Sequence, residues 1–318
     1  MVLVGCDSGN KAAGDVPGSR VPVATNLPVD VYLEPPNEGE GIQFFMESTV
    51  PAGSEAWICA VYPMPIDDWA AVNRVEYAQT AGMHHMTLST PSLGGGPPLE
   101  YGVYPCEDIY GQMMEDMTMF FGNQGGSDTM TLPEGVAANF PPGLDVVHEV
   151  HYLNVYTEPV HVKSYVNGYT IPQEDVVEGI WGGQVRDENL DIPAGETRTE
   201  WTRCVMNEDV EVVFLASHTH ELGVEFTIAS YDGDAVGDTF YVNTDWEDPL
   251  IVQYDPPLTV KAGEGFEYTC TFNNWRDVDV AYGLTSKDEM CNMTIVHMPQ
   301  SMTARCAVVE TSDGVLWE

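Results

Sequence analysis

The sequence is poor in positive charge. Lys and Arg total 11 against 50 Asp and Glu, a formal net charge of −39 over 318 residues. Such a surface argues against nucleic acid as a partner, because holding phosphates takes basic side chains. Acidity of this strength keeps a protein soluble and is common where salt screens the self-repulsion. Long apolar runs are also missing: none approaches the roughly 18 residues needed to cross a bilayer as a helix. No C-x-x-C pair occurs among the seven cysteines Cys6, Cys59, Cys106, Cys204, Cys270, Cys291 and Cys306, so a zinc ribbon is a poor reading. Helix signals are scarce, with one helical stretch expected at Asp67–Tyr77, and there is no tandem repeat with a period of about 20–50 residues.

What the chain does have is short β-rich runs. They include Ile42–Phe45, Ala56–Tyr62, His84–Leu88, Val146–Val155, His161–Tyr165, Val210–Leu215, Val224–Ala229, Phe266–Phe272 and Met293–His297. Turn-rich segments such as GGGPP (94–98), YDGD (231–234) and KAGEG (261–265) separate them. This pattern predicts an all-β chain of antiparallel jelly-roll or β-sandwich type. The length suits two domains packed side by side, 29–177 and 178–318, with the crossing inside NGYTIPQEDVVEGIWGG (167–183). Cys6 stands apart in MVLVGCDSGN, which looks like the end of a bacterial lipoprotein signal. Residues 1–28 then read as a signal remnant and flexible tether, with Cys6 lipidated. Six cysteines remain, as in an exported disulfide framework.

The chemistry concentrates in histidine. In LASHTHELG (215–223), His218 and His220 are two apart, which on a strand places both on one face, able to chelate one metal. In AGMHHMTLS (81–89), His84 and His85 are adjacent, so sharing a metal requires a bulge or a strand end. His148 and His151 in VVHEVHYLN (146–154) are three apart and cannot share a strand face, so at most one is a natural ligand. His161 and His297 fall in strand-like runs, where a hydrogen-bonded structural role is the default. Met290 sits beside Cys291 just ahead of a strand. Taken singly, each of these is as readily a surface pair or core packing. A thioether beside imidazoles, however, suits copper better than zinc.

The motifs HHM, HEVHY, HTHELG and DEMCN, in this order, resemble those of the copper type II ascorbate-dependent monooxygenases, over residues 40–310. The resemblance implies two coppers per chain, one in each domain, facing each other across a solvent-filled cleft. His84, His85 and His151 would hold the electron-transfer copper. His218, His220 and Met290 would hold the oxygen-binding copper. Six cysteines allow 15 pairings; the resemblance selects Cys59–Cys106, Cys204–Cys306 and Cys270–Cys291. The implied activity is hydroxylation of a C–H bond of a small organic substrate, with O2 and an external reductant, ascorbate or a substitute. The implied location is exported: at the cell surface, periplasmic or secreted, with membrane contact only through a lipid anchor at Cys6. The alternative is a copper-binding or copper-storing surface lipoprotein without turnover.

The departures concern substrate. Peptide-hydroxylating members hold a substrate carboxylate with an Arg two residues before H-T-H, together with an Asn and a Tyr after Met-Cys. Those positions here are Ala216, Asn292 and Thr294. The amide survives; the cation and the phenol do not. With the net charge of −39, this predicts a neutral or cationic substrate and a reductant other than ascorbate. Asn292-Met293-Thr294 is formally a glycosylation sequon, here a coincidence.

Overall fold

A computed structural model describes residues 27–91, 99–113, 117–123, 126–247, 249–285 and 287–314. Cys6, most of the 1–28 tether and the GGGPP turn lie outside the described residues. Among the described residues the regular secondary structure is nearly all strand, as the turn-bounded β-rich runs predict.

In the N-terminal half two antiparallel sheets face each other. One runs in the order Gly41–Val50, Val160–Ile171, Ala70–Gln79, Val136–Phe140 and Glu178–Gly179, with Ser127–Thr131 also paired to Ala70–Gln79; its last pairing is parallel. The other runs Gly102–Pro105, Glu55–Pro63, Asp145–Leu153, Met83–Pro91 and Met117–Asn123. Alternate residues of the two meet in one core, Phe44, Met46, Val162 and Val166 from the first and Met86, Leu88, Val146 and Val150 from the second.

The C-terminal half repeats this arrangement. A four-stranded sheet, Trp181–Arg186, Asn292–Met298, Val210–His218 and Ile251–Val260, lies over a five-stranded one, Val236–Asn243, Gly223–Tyr231, Gly265–Asn273, Thr197–Met206 and Cys306–Thr311. Their shared core holds Val212, Leu215, Met293 and Ile295 against Phe226, Ile228, Tyr268 and Phe272. Sheet membership changes between Gly179 and Trp181, inside the stretch where the sequence suggests a crossing. Strand Met117–Asn123 of the first half then lies against Trp181–Arg186 of the second.

The expected helix at Asp67–Tyr77 is not one. Ala70–Gln79 is a strand, paired along Val160–Ile171 on one side and along Ser127–Thr131 and Val136–Phe140 on the other. Tertiary pairing overrides the Ala-rich helical pattern, since an interior strand satisfies its backbone on both edges. The α-helix that does form, Cys106–Met113, opens with Glu107 and Asp108 in its first turn, where acidic side chains favour the helix dipole. YDGD is a turn, as expected: Asp232 Oδ1 accepts from the backbone N–H groups of Asp234 and Ala235, and Gly233 takes φ +93°.

Three disulfides form, Cys59–Cys106, Cys204–Cys306 and Cys270–Cys291. This is the pairing the family resemblance implies. The third joins strand Gly265–Asn273 to the residue after Met290.

Candidate metal centre

His85 and His151 are directly opposite each other on paired strands. The register slips between Met83 and His85, so His84 is the extra residue of a bulge. That slip is what lets two adjacent histidines face one point. The three rings form a near-equilateral triangle, with centroids 5.1 Å (His84–His85), 5.0 Å (His84–His151) and 5.0 Å (His85–His151) apart. One ring nitrogen from each lies within 4.8 Å of the others, close enough for one metal ion.

The outer nitrogens are already committed. His85 Nε2 is 2.8 Å from Glu149 Oε1, and His151 Nε2 is 2.7 Å from Glu55 Oε1. A carboxylate acceptor fixes the N–H at Nε2 and leaves Nδ1 with its lone pair. His84 Nδ1 and His85 Nδ1 stand 2.9 Å apart, the spot where such lone pairs converge. Burial, with the neighbouring imidazoles second, pushes the His84 pKa down to about 2, so its ring is neutral and able to ligate. Glu149 is built for its task. It accepts from His85, from Trp57 Nε1 (2.6 Å), from Thr87 Oγ1 (2.8 Å) and from Tyr110 Oη (2.6 Å). Burial alone would raise its pKa, but the hydrogen bonds from His85, Tyr110 and Trp57 outweigh it and hold the carboxyl at about 2.

The second group lies at the end of a strand rather than within it. Val210–His218 ends at His218, and His220 lies two residues beyond. The two rings still converge, 5.2 Å apart. His220 Nδ1 donates to the Asp288 carbonyl at 3.0 Å, which leaves Nε2 for a metal. The fully buried Glu289 carboxylate ties the segment together. It accepts from the backbone N–H groups of His220 (2.9 Å), Leu222 (2.7 Å) and Met290 (3.2 Å). Burial pushes its pKa up to about 7, against the pull of those donors. Burial also holds the His220 pKa down at about 4 and puts that of His218 well below the usual histidine range. Met290 Sδ is 3.2 Å from Asn292 Nδ2, and the Cys270–Cys291 bridge holds the next residue.

The two groups are close. His85 and His218 ring centroids are 6.1 Å apart, and those of His84 and His220 are 6.4 Å apart. An open cleft between them, as the resemblance suggested, is not what the structure has. His85, His218, His220 and Met290 instead line one cavity of about 340 Å³. Ala216 and Thr294 line it too, while Asn292 is buried at 1% exposure, no place for a glycan. The other histidines lie elsewhere. His148 is buried between Tyr62 Oη (2.9 Å) and Ser164 Oγ (2.8 Å), His161 is exposed beside Glu47, and His297 is buried on strand Asn292–Met298. Glu149, Glu289 and Trp246, whose ring is 5.4 Å from that of His84, escaped the sequence reading. The acid adjoining Met290 in DEMC was the one available hint.

The donor sets fit copper. Three imidazoles, two of them with anchored outer nitrogens, suit a metal that changes oxidation state with little ligand movement. Two imidazoles with a thioether suit the softer Cu(I) state.

Comparison with known proteins agrees. Residues 182–318 match the model for the copper type II ascorbate-dependent monooxygenase C-terminal domain. The chain is 23% identical over 330 residues to peptidyl-glycine alpha-amidating monooxygenase B of Xenopus laevis, covering 93% of this chain and 34% of that protein. With peptidyl-glycine alpha-amidating monooxygenase A of Xenopus laevis it shares 24% over 321 residues, covering 93% of this chain and 32% of that protein. The chain thus spans about a third of the length of the curated relatives it matches. Residues 182–318 are thus similar to the copper type II ascorbate-dependent monooxygenase C-terminal domain, and the histidine and cysteine pattern upstream resembles the same family.

Proposed function

We propose that the chain is a copper-dependent monooxygenase that hydroxylates a C–H bond of a small organic substrate, using O2 and an external one-electron reductant. It would carry two coppers, one in a domain of residues 29–177 and one in a domain of residues 178–318. The separate cores of the two halves support that division. His84, His85 and His151 would ligate the electron-transfer copper through Nδ1. His218 and His220, the latter through Nε2, would ligate the oxygen-binding copper with Met290 Sδ. Copper supplies one-electron chemistry toward O2 and toward the substrate C–H bond.

The chain's own contribution is position. Glu149 and Glu55 orient two of the imidazoles, and Glu289 clamps the His220 loop to the Met290 segment. The cavity beside His218 would hold the substrate away from water, with O2 and reductant as the other partners. Export fits three disulfides in one chain. A lipid anchor at Cys6 belongs to the same proposal.

The observation that carries this reading is that two imidazoles and a thioether open onto the same apolar cavity. A storage protein has no need of an apolar chamber beside its metal. The test is O2 consumption by the copper-loaded chain with ascorbate or another reductant, in the presence of candidate substrates. Copper-dependent uptake coupled to a hydroxylated product is expected. Copper binding with no reductant-driven O2 uptake would identify a copper-binding protein without turnover.

A further inference from the structure

One wall of the cavity is a sheet face whose rows can be read from strand register. Arg186 is opposite Asn292, and Asn292 is opposite His218. Directly opposed residues project to the same face, so these three form one row across three strands. The next row is Gln184, Thr294 and Ala216, and the third is Gly182, Val296 and Phe214. The alternate residues Val185, Met293, Ile295 and Leu215 turn the other way into the core. All of the row residues except Asn292 line the cavity.

Among the described residues Arg186 is the only Lys or Arg in that lining. Arg74, Lys163, Arg198, Arg203, Lys261 and Arg276 are each ion-paired. Arg186 pairs with no carboxylate among the described residues; the Tyr282 hydroxyl lies near its guanidinium. A half-buried guanidinium facing an apolar chamber without a counter-charge is a ready site for a planar anion. The lining acid Glu149 offers nothing to an amine, because four donors already occupy it. In the same row Asn292 is buried, and its Oδ1 has no hydrogen-bond partner. Phe120, Phe121, Leu132 and Phe140 supply the apolar remainder.

We infer that Arg186 is the specificity-determining cation of this cavity, and that the substrate is a small carboxylic acid with an aryl or alkyl body reaching toward His218. The anion anchor has moved by one row and two strands from the Ala216 position. Two strand spacings of about 4.8 Å put Arg186 and His218 roughly 10 Å apart along the row, within the span of one small molecule. The cavity volume of about 340 Å³ sets the same scale. This departs from the expectation of a neutral or cationic substrate, which followed from Ala216 and the bulk charge. The fate of the substrate rests on the monooxygenase reading; its binding does not.

The test is therefore made on the metal-free chain at neutral pH, without reductant. Isothermal titration compares 3-phenylpropanoate, 3-phenylpropanamide and 3-phenylpropylamine. The acid is expected to bind about tenfold or more tightly than the amide, the usual scale for a hydrogen bond to a charged group. Arg186→Gln is expected to abolish that preference while amide binding holds, and Arg186→Lys to restore part of it. An unchanged thermal midpoint excludes misfolding of the variant; if Arg186→Gln does not fold, the acid-to-amide ratio of wild type against Arg186→Lys decides. Equal binding of acid and amide, tighter binding of the amine, no binding of any probe, or a preference that survives Arg186→Gln overturns the inference. Since no copper is involved, loss of this preference beside intact copper-dependent O2 use would remove the substrate class alone. Absent turnover beside a clear acid preference would remove the enzyme reading alone.

Discussion

At the level of single residues, the ligand candidates were legible and their supports were not. His84, His85, His151, His218, His220 and Met290 are marked by rarity and by motif. Glu149 and Arg186 look like any of 50 acids or 11 bases in the sequence, because what singles them out is register across strands far apart in the chain. Glu149 gives a specific expectation. Glu149→Gln removes the charge and turns an amide N–H2 toward groups that are themselves donors, Tyr110 and Thr87. The His85 ring then keeps only a neutral amide oxygen as the acceptor that fixes its tautomer. Copper affinity of the His84, His85 and His151 group should fall by about tenfold or more, with the His218, His220 and Met290 group unchanged. Competitive copper titration of the variant checks this; equal weakening of both groups would point to general unfolding instead.

At the level of elements, most strands were read from alternation and turn residues, and the errors have physical causes. Ala70–Gln79 carries a helical apolar spacing but sits between two partner strands, which no local window can show. His84 shares a face with His85 only because the ladder slips there, and the need for such a slip, though not its occurrence, followed from the spacing. The HTH pair straddles a strand end, held by Glu289 from a different segment. The Cys270–Cys291 bridge holds that segment too, closing a separation of 21 residues. Replacing both cysteines by serine should cost about 3 kcal/mol of stability on the loop-entropy scale. It should also loosen Met290, weakening copper at His218 and His220 before it affects the His84 group. Chemical denaturation and site-resolved copper titration measure the two effects. A stability loss with both metal groups untouched would show that Glu289 alone holds Met290 in place.

At the scale of the whole molecule, the all-β class and the three disulfides were legible, but the closeness of the two histidine groups was not. Spacing within each half says nothing about contact between halves, and the 6.1 Å approach of His85 to His218 depends on how the sheets meet. The net charge of −39 acts at this scale as well. It repels an anionic reductant at long range, and salt shortens that range to about 10 Å at 0.1 M. Added salt should therefore raise kcat/KM for ascorbate, while a neutral reductant responds little. Efficient use of ascorbate at low salt, with no acceleration on adding salt, would show that the bulk charge does not govern reductant access.

The central claim of the proposed function is that the histidines form two separate copper sites. The most direct measurement is copper content per folded chain, for wild type, His85→Ala and His218→Ala, after loading and removal of loosely held metal. The expected result is two coppers in the wild type and one in each variant. A single copper in the wild type, lost in both variants, would mean that the two adjacent groups make one shared site and would contradict the account.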